Sequence, residues 1–238
     1  MTETQVKNGN KAADVHSGDE DLFLRIDGSR PLSPAAAAAV NAVCDSAEDR
    51  NGRGRVIVQV SGAPAGGWAD DLTVAQVSKW ERALRRLERL PATTLAVADG
   101  DCGGIALDAL LATDYRIATA AVRLCVPVGD GATWPGMALY RLAQHGSGAA
   151  AVRRAVLFGT PIDASDALAL HLVDELADNL DDALANAALR AGAVPGAELA
   201  IRRQLMLDAA STSFEEALGV HLAACDRVLR RASTAVAS

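Results

Sequence analysis

The chain has 238 residues, half of them apolar and 22% charged, enough for one large domain or two small ones to bury a core without disulfides. A net charge of −7 and only 3% aromatic residues argue against a nucleic-acid reader, because the surface repels phosphate and stacking platforms are scarce. The four cysteines, Cys44, Cys102, Cys125 and Cys225, form no CxxC or Cys/His cluster, so neither a metal site nor a disulfide framework is expected.

Residues 1–20 are polar, carry no apolar leader and read as a disordered tail. Phe23 to Ile26 reads as a first strand ending in the turn pair Asp27-Gly28. Ser33 then caps a helix that has Pro34 at its first position and runs through alanines to about Asp49. Val56 to Val60, a β-branched run, is the next strand. Over residues 72–90, Val77, Trp80, Leu84 and Leu87 recur at helical spacing, while Lys79, Arg82, Arg85, Arg86 and Arg89 crowd the rest of the surface. Leu95 to Ala98 is a strand that passes through Asp99-Gly100 into Gly103-Gly104 and a helix to about Thr113. Residues 115–127 predict two short strands, and beyond Pro135 the chain reads as mostly helical, its last long helix running from about Phe214 to Arg231. Strands alternating with helices, followed by helices alone, imply an α/β core at 21–195 and a C-terminal helical region at 196–238. With no run of 18 apolar residues, no membrane span is expected, and the cytoplasm is the expected location.

Two motifs mislead. Gly100-Asp101-Cys102-Gly103-Gly104 looks like a cysteine-protease nucleophile loop, but the only upstream histidine is His16, in the tail. Gly146-Ser147-Gly148 followed by Ala151 matches a dinucleotide fingerprint, but a helix precedes it where a strand is needed.

The stretch from 94 to 142 carries more. A strand delivers a glycine pair to the start of a helix, where backbone N–H groups lack intrahelical partners. One turn along, Asp108 sits among Ile105, Ala106, Leu107, Ala109, Leu110 and Leu111, company that desolvates a carboxylate and raises its pKa. Exposed amides beside such an acid can polarise a carbonyl and move a proton; a structural hydrogen bond is the other use of the same residue.

Asp99-Gly100, Gly103-Gly104, Asp108 and Asp114 resemble the signature of the crotonase (enoyl-CoA hydratase/isomerase) superfamily. The likeness continues through Pro127, Pro135-Gly136, Arg141-Leu142, Gly159 to Ala164, and Leu172 to Glu175. It implies the crotonase fold, a spiral of ββα units with C-terminal helices that assemble trimers or hexamers. It also implies an acyl-CoA substrate, with coenzyme A as part of that substrate and no prosthetic group. An oxyanion hole of two amides is implied as well: one from Ile105 or Gly104, the other from Asp70 or Ala69. Asp108 falls on the position of the first catalytic glutamate, and the basic side chains Lys79, Arg82 and Arg86 are the candidates for holding CoA phosphates. The second glutamate position is Val128, and the oxyanion glycine is Ile105, whose side chain is expected to crowd the thioester. A two-glutamate hydration is therefore unsupported, leaving Asp108 as a lone acid/base, with Asp130 as a candidate helper. This pattern is similar to the accessory dehydratase-type members of the 3,5-dihydroxyphenylacetyl-CoA pathway, which work beside a type III polyketide synthase in glycopeptide antibiotic biosynthesis. The alternative is a catalytically weak subunit that binds and stimulates that synthase.

Overall fold

The computed structural model describes residues 13–17, 21–51, 53–66, 68, 72–129, 132–146, 149–191, 196–209 and 211–236. The central sheet is built from β1 (Ala13–Ser17), β2 (Asp21–Asp27), β3 (Arg55–Gly62), β4 (Thr93–Gly103), β5 (Tyr115–Ala118) and β10 (Glu175–Leu176), side by side in that order. Every pairing along this path is parallel except that of β1 with β2. The connections carry α1 (Pro34–Asp49), α2 (Val74–Leu87) and α3 (Ile105–Leu110). Alternation along the strands separates two cores. Val56, Val58, Val60, Ala96 and Ala98 join the cluster under α1, α2 and α3, while Leu95, Val97 and Ile117 pack with Ala183, Ala187 and Ala188 of α7 (Leu180–Ala191).

Local chemistry sets the helix starts. Ser33 Oγ accepts from Ala36 N ahead of Pro34, as the sequence predicts. Thr73 and Gln76 form a reciprocal capping box at α2.

The tail expected over residues 1–20 does not hold at Ala13–Ser17, which forms β1. Its partner register, Ala13 with Ile26 and Val15 with Leu24, sets Ala13 into the core and packs Val15 against it. An edge strand recruited by the open hydrogen bonds of β2 needs few apolar residues, so composition alone hides it. The helix expected to reach Thr113 ends at Leu110, because Asp114 N is claimed by Thr94 O at 3.1 Å as the chain returns to the sheet. Strand β4 runs further than Ala98. Gly100 takes φ +64°, and the strand then changes partner, so that Asp101 to Gly103 pair with β6 (Arg123–Cys125).

A hairpin of β7 (Val128–Gly129) and β8 (Ala132–Thr133), absent from the sequence reading, leads into α4 (Ala138–Gly146). Next come α5 (Ala150–Phe158), β9 (Ile162–Asp163) and α6 (Ala164–Ala169), with β9 antiparallel to β6. The C-terminal helices are α8 (Gly196–Ala209) and α9 (Phe214–Val236), the latter longer than expected.

Candidate active site

The site gathers where β4 ends. Gly104 caps α3 with φ +55° and ψ −129°, a conformation L side chains rarely adopt, and a Cβ there would stand 2.9 Å from Pro64 Cγ. Ile105 opens the helix, and its amide belongs to the first turn, which lacks intrahelical acceptors. Its side chain is fully buried within the main hydrophobic cluster.

Asp108 N donates to Gly104 O at 3.0 Å, fixing the acid one turn beyond the glycine. Its carboxyl is entirely buried and accepts three hydrogen bonds. Trp80 Nε1 (3.1 Å) and Trp134 Nε1 (2.8 Å) both donate to Oδ2, and Ala138 N donates to Oδ1 at 3.0 Å. Burial, helped by the negative charge of Glu81, raises the pKa to about 7; the Trp134 and Trp80 hydrogen bonds and the Arg141 guanidinium oppose the rise. Gly136 closes the remaining side. A Cβ there would stand 2.7 Å from Asp108 Oδ1 and closer still to Oδ2. The Trp134 ring also packs against Trp68, centroids 5.3 Å apart, and its outer edge lies 3.5 Å from where a Cβ on Gly104 would stand. The indole therefore spans from the acid to the glycine turn.

A charged brace lies behind this cluster. Arg141, 9% exposed, donates to Glu88 (2.6 Å) and Glu81 (3.1 Å), and Glu81 accepts from Met137 N at 2.7 Å. Two adjacent amides at the head of α4, those of Met137 and Ala138, are thus capped by carboxylates from α2 and α3.

Gly104, Ile105 and Asp108 are thus brought together. Ala69, Asp70 and Asp130 lie outside the described residues. Val128 is half exposed beside Gly159 and has no proton to offer. The basic residues part company: Lys79 and Arg82 are exposed on α2, whereas Arg86 is held by Glu48 (2.7 Å) and Asp45 (2.6 Å), bracing α2 on α1. A phosphate at Arg86 would have to displace two carboxylates. Burial pushes the Cys102 thiol well above its ordinary range, the opposite of what a nucleophile needs. Among the described residues, no group of three His, Cys, Asp or Glu side chains is placed to hold a metal ion.

Sequence reasoning missed Trp80, Trp134, Glu81 and Gly136 as parts of the site. Trp80 stands at an apolar position of helical spacing, and the signal it carries is that a buried indole N–H needs an acceptor. It also missed Arg203 of α8, 6% exposed, which donates to Asp114 Oδ1 (2.7 Å) and Oδ2 (2.5 Å), to Ala92 O (3.1 Å) and to Leu90 O. Asp114, at the end of the motif, also accepts from Thr94 N and Oγ1 at 2.9 Å, so its role is structural.

A parallel sheet wrapped by βα units, with a glycine-bent helix start beside a buried acid, defines a crotonase-fold protein. The chain superposes on an enoyl-CoA hydratase from Shewanella pealeana ATCC 700345 with a TM-score of 0.77 at 16% identity, covering 92% of this chain and 88% of that one. An enoyl-CoA hydratase from Mycobacterium smegmatis gives 0.75 at 17% identity, over 91% of each chain. No family model matches the sequence. In sequence, the chain is 57% identical over 215 residues to an Amycolatopsis orientalis protein named enoyl-CoA-hydratase, covering 90% of this chain and 98% of that one. The chain belongs to the enoyl-CoA hydratase (crotonase) family. Among the described residues, no helix is long and apolar enough to cross a membrane.

Proposed function

We propose that this chain acts on an acyl-CoA thioester by hydratase/isomerase-type chemistry, with Asp108 as its single proton-transfer group. The observation that carries this reading is a fully buried carboxyl, its pKa raised to about 7, one helical turn beyond the Gly104–Ile105 bend. A thioester carbonyl at the bend would be polarised by the Ile105 or Gly104 amide, with Ala69 or Asp70 supplying the second. Asp108 would take the α-proton and return it, either to a leaving β-hydroxyl as water or to a carbon further along the chain. Val128 cannot activate water, which favours dehydration or isomerisation over a two-carboxylate hydration.

The substrate in this reading is a polyketide thioester made by a type III polyketide synthase in the cytoplasm, aromatising towards 3,5-dihydroxyphenylacetyl-CoA for antibiotic biosynthesis. Lys79 and Arg82, exposed on α2, are assigned to the CoA phosphates, with coenzyme A entering only as part of the substrate. Leu218, Val220 and Leu222 are exposed on α9, which supports a homotrimer or hexamer joined through residues 196–231. Because Asp108 is fully covered, part of its cover must move for substrate to reach it.

That same cover favours a second reading, an accessory subunit that stimulates the synthase without chemistry of its own. Product formation from malonyl-CoA and the synthase, with wild-type chain, with Asp108→Asn and with neither, separates the two. The enzyme reading expects Asp108→Asn to lower turnover by about 10²–10⁴. A folded variant that stimulates within about threefold of wild type overturns it in favour of the subunit.

A further inference from the structure

Both indole N–H groups that reach Asp108 end on the same oxygen, Oδ2, whereas Oδ1 meets a single backbone amide, that of Ala138. An indole nitrogen can only donate. An oxygen that receives two such donors is held as an acceptor, since a proton on it would point at an N–H. The asymmetry leaves Oδ1 one lone pair uncommitted to a donor. Neither tryptophan is free to turn away: Trp80 is fully buried in α2, and Trp134 is 2% exposed and packed against Trp68.

We infer that Trp80 and Trp134 are positioning residues that fix Asp108 Oδ2 as a permanent acceptor and confine its exchangeable proton to Oδ1. The inference rests on the proposed role of Asp108 in proton transfer. The atom that trades a proton with substrate is then Oδ1, on the side of the carboxyl capped by the α4 amide. The charged groups facing this carboxyl are Glu81 from α2 and Arg141 from α4, the latter also binding Glu88 just beyond α2; the Cys102 thiol of β4 also senses its charge. None of them donates a hydrogen bond to Oδ2, so the two indoles alone control that oxygen.

The first test uses the wild-type chain labelled with 15N-tryptophan. It has three tryptophans, and the Nε1–H resonances of Trp80 and Trp134 should move between pH 5 and 9 with one common midpoint, while that of Trp68 moves far less. Asp108→Asn should abolish the movement. Trp134→Phe and Trp80→Phe each remove a donor to the ionised form, so the carboxyl midpoint, read by 13C NMR of labelled aspartate, should rise by about one pH unit in each. Trp134→Phe should shift it more, having the shorter bond. The pH profile of turnover should follow the same midpoints, with kcat changing more than KM. Indole resonances that ignore pH, or midpoints that stay in place in both folded variants, overturn the inference while leaving the proposed function intact. Full turnover in Asp108→Asn overturns both.

Discussion

The pocket around Asp108 and the α8–α9 hairpin stand at opposite extremes. In the pocket a carboxylate lies fully buried, and all three of its hydrogen bonds are made within the chain. On α9, by contrast, Leu218, Val220 and Leu222 are 41%, 57% and 56% exposed, and a cavity of about 450 Å³ lined by Ala200, Ile201, Gln204, Leu205 and Val220 opens between the two helices. The polar region is satisfied by one copy of the chain, while the apolar one is left wet. Burying a charge is costly enough to demand local partners, whereas an exposed aliphatic stripe costs little until a partner covers it.

Arg203 ties α8, and with it the exposed hairpin, to the core at Asp114, so removing it is the sharpest way to break the comparison. Arg203→Ala leaves Asp114 without its cation and two carbonyls without donors. Denaturant unfolding should show a loss of about 3–5 kcal/mol. A loss under about 1 kcal/mol would show that the hairpin docks independently of this ion pair.

A second effect comes from the pocket's own titration. The Asp108 carboxyl rises from 3.8 to about 7 on folding, mainly through burial. Between those values the folded chain holds a proton that the unfolded chain has released. The contribution is therefore complete below about pH 4 and is lost as pH rises through about 7. The stability of wild type relative to Asp108→Asn should fall across that window by up to about 4 kcal/mol. A difference that rises with pH would reverse the assignment.

Gly136→Ala probes packing in the same pocket. The new Cβ would overlap both carboxylate oxygens, and forcing it in should cost about 1–3 kcal/mol and lower turnover. Equal thermal stability and activity would mean that the Trp134 segment yields freely.

Smaller effects are expected on the exposed side. Leu218→Ser with Leu222→Ser should change the stability of an isolated chain by about 0.5 kcal/mol or less. Light scattering should nonetheless show assemblies dissociating; an unchanged mass would place the contact elsewhere. Lys79→Glu with Arg82→Glu should weaken CoA-ester binding by a few-fold at low salt and leave unfolding unchanged, with calorimetric titration as the readout. Adding Arg86→Glu should lower stability as well, since Arg86 braces α2 on α1.

Much of the architecture was legible in the amino-acid order. The Ser33-Pro34 start, the β-branched run at Val56 to Val60, the apolar face of α2 and the Gly103-Gly104 turn ahead of Asp108 each follow from local sterics and periodicity, which a short window of sequence contains. The burial of Asp108 was legible too, because its apolar neighbours share its helix. Three features were settled only by tertiary structure. Ala13–Ser17 became a strand because β2 offered an open edge. The indoles of Trp80 and Trp134 met one carboxylate oxygen from 28 and 26 residues away. Arg203 found Asp114 across 89 residues. Hydrogen bonds between distant segments leave no periodicity in the chain; they exist only once hydrophobic burial has brought the segments together, and the cost of leaving a donor or charge unpaired there selects the partner.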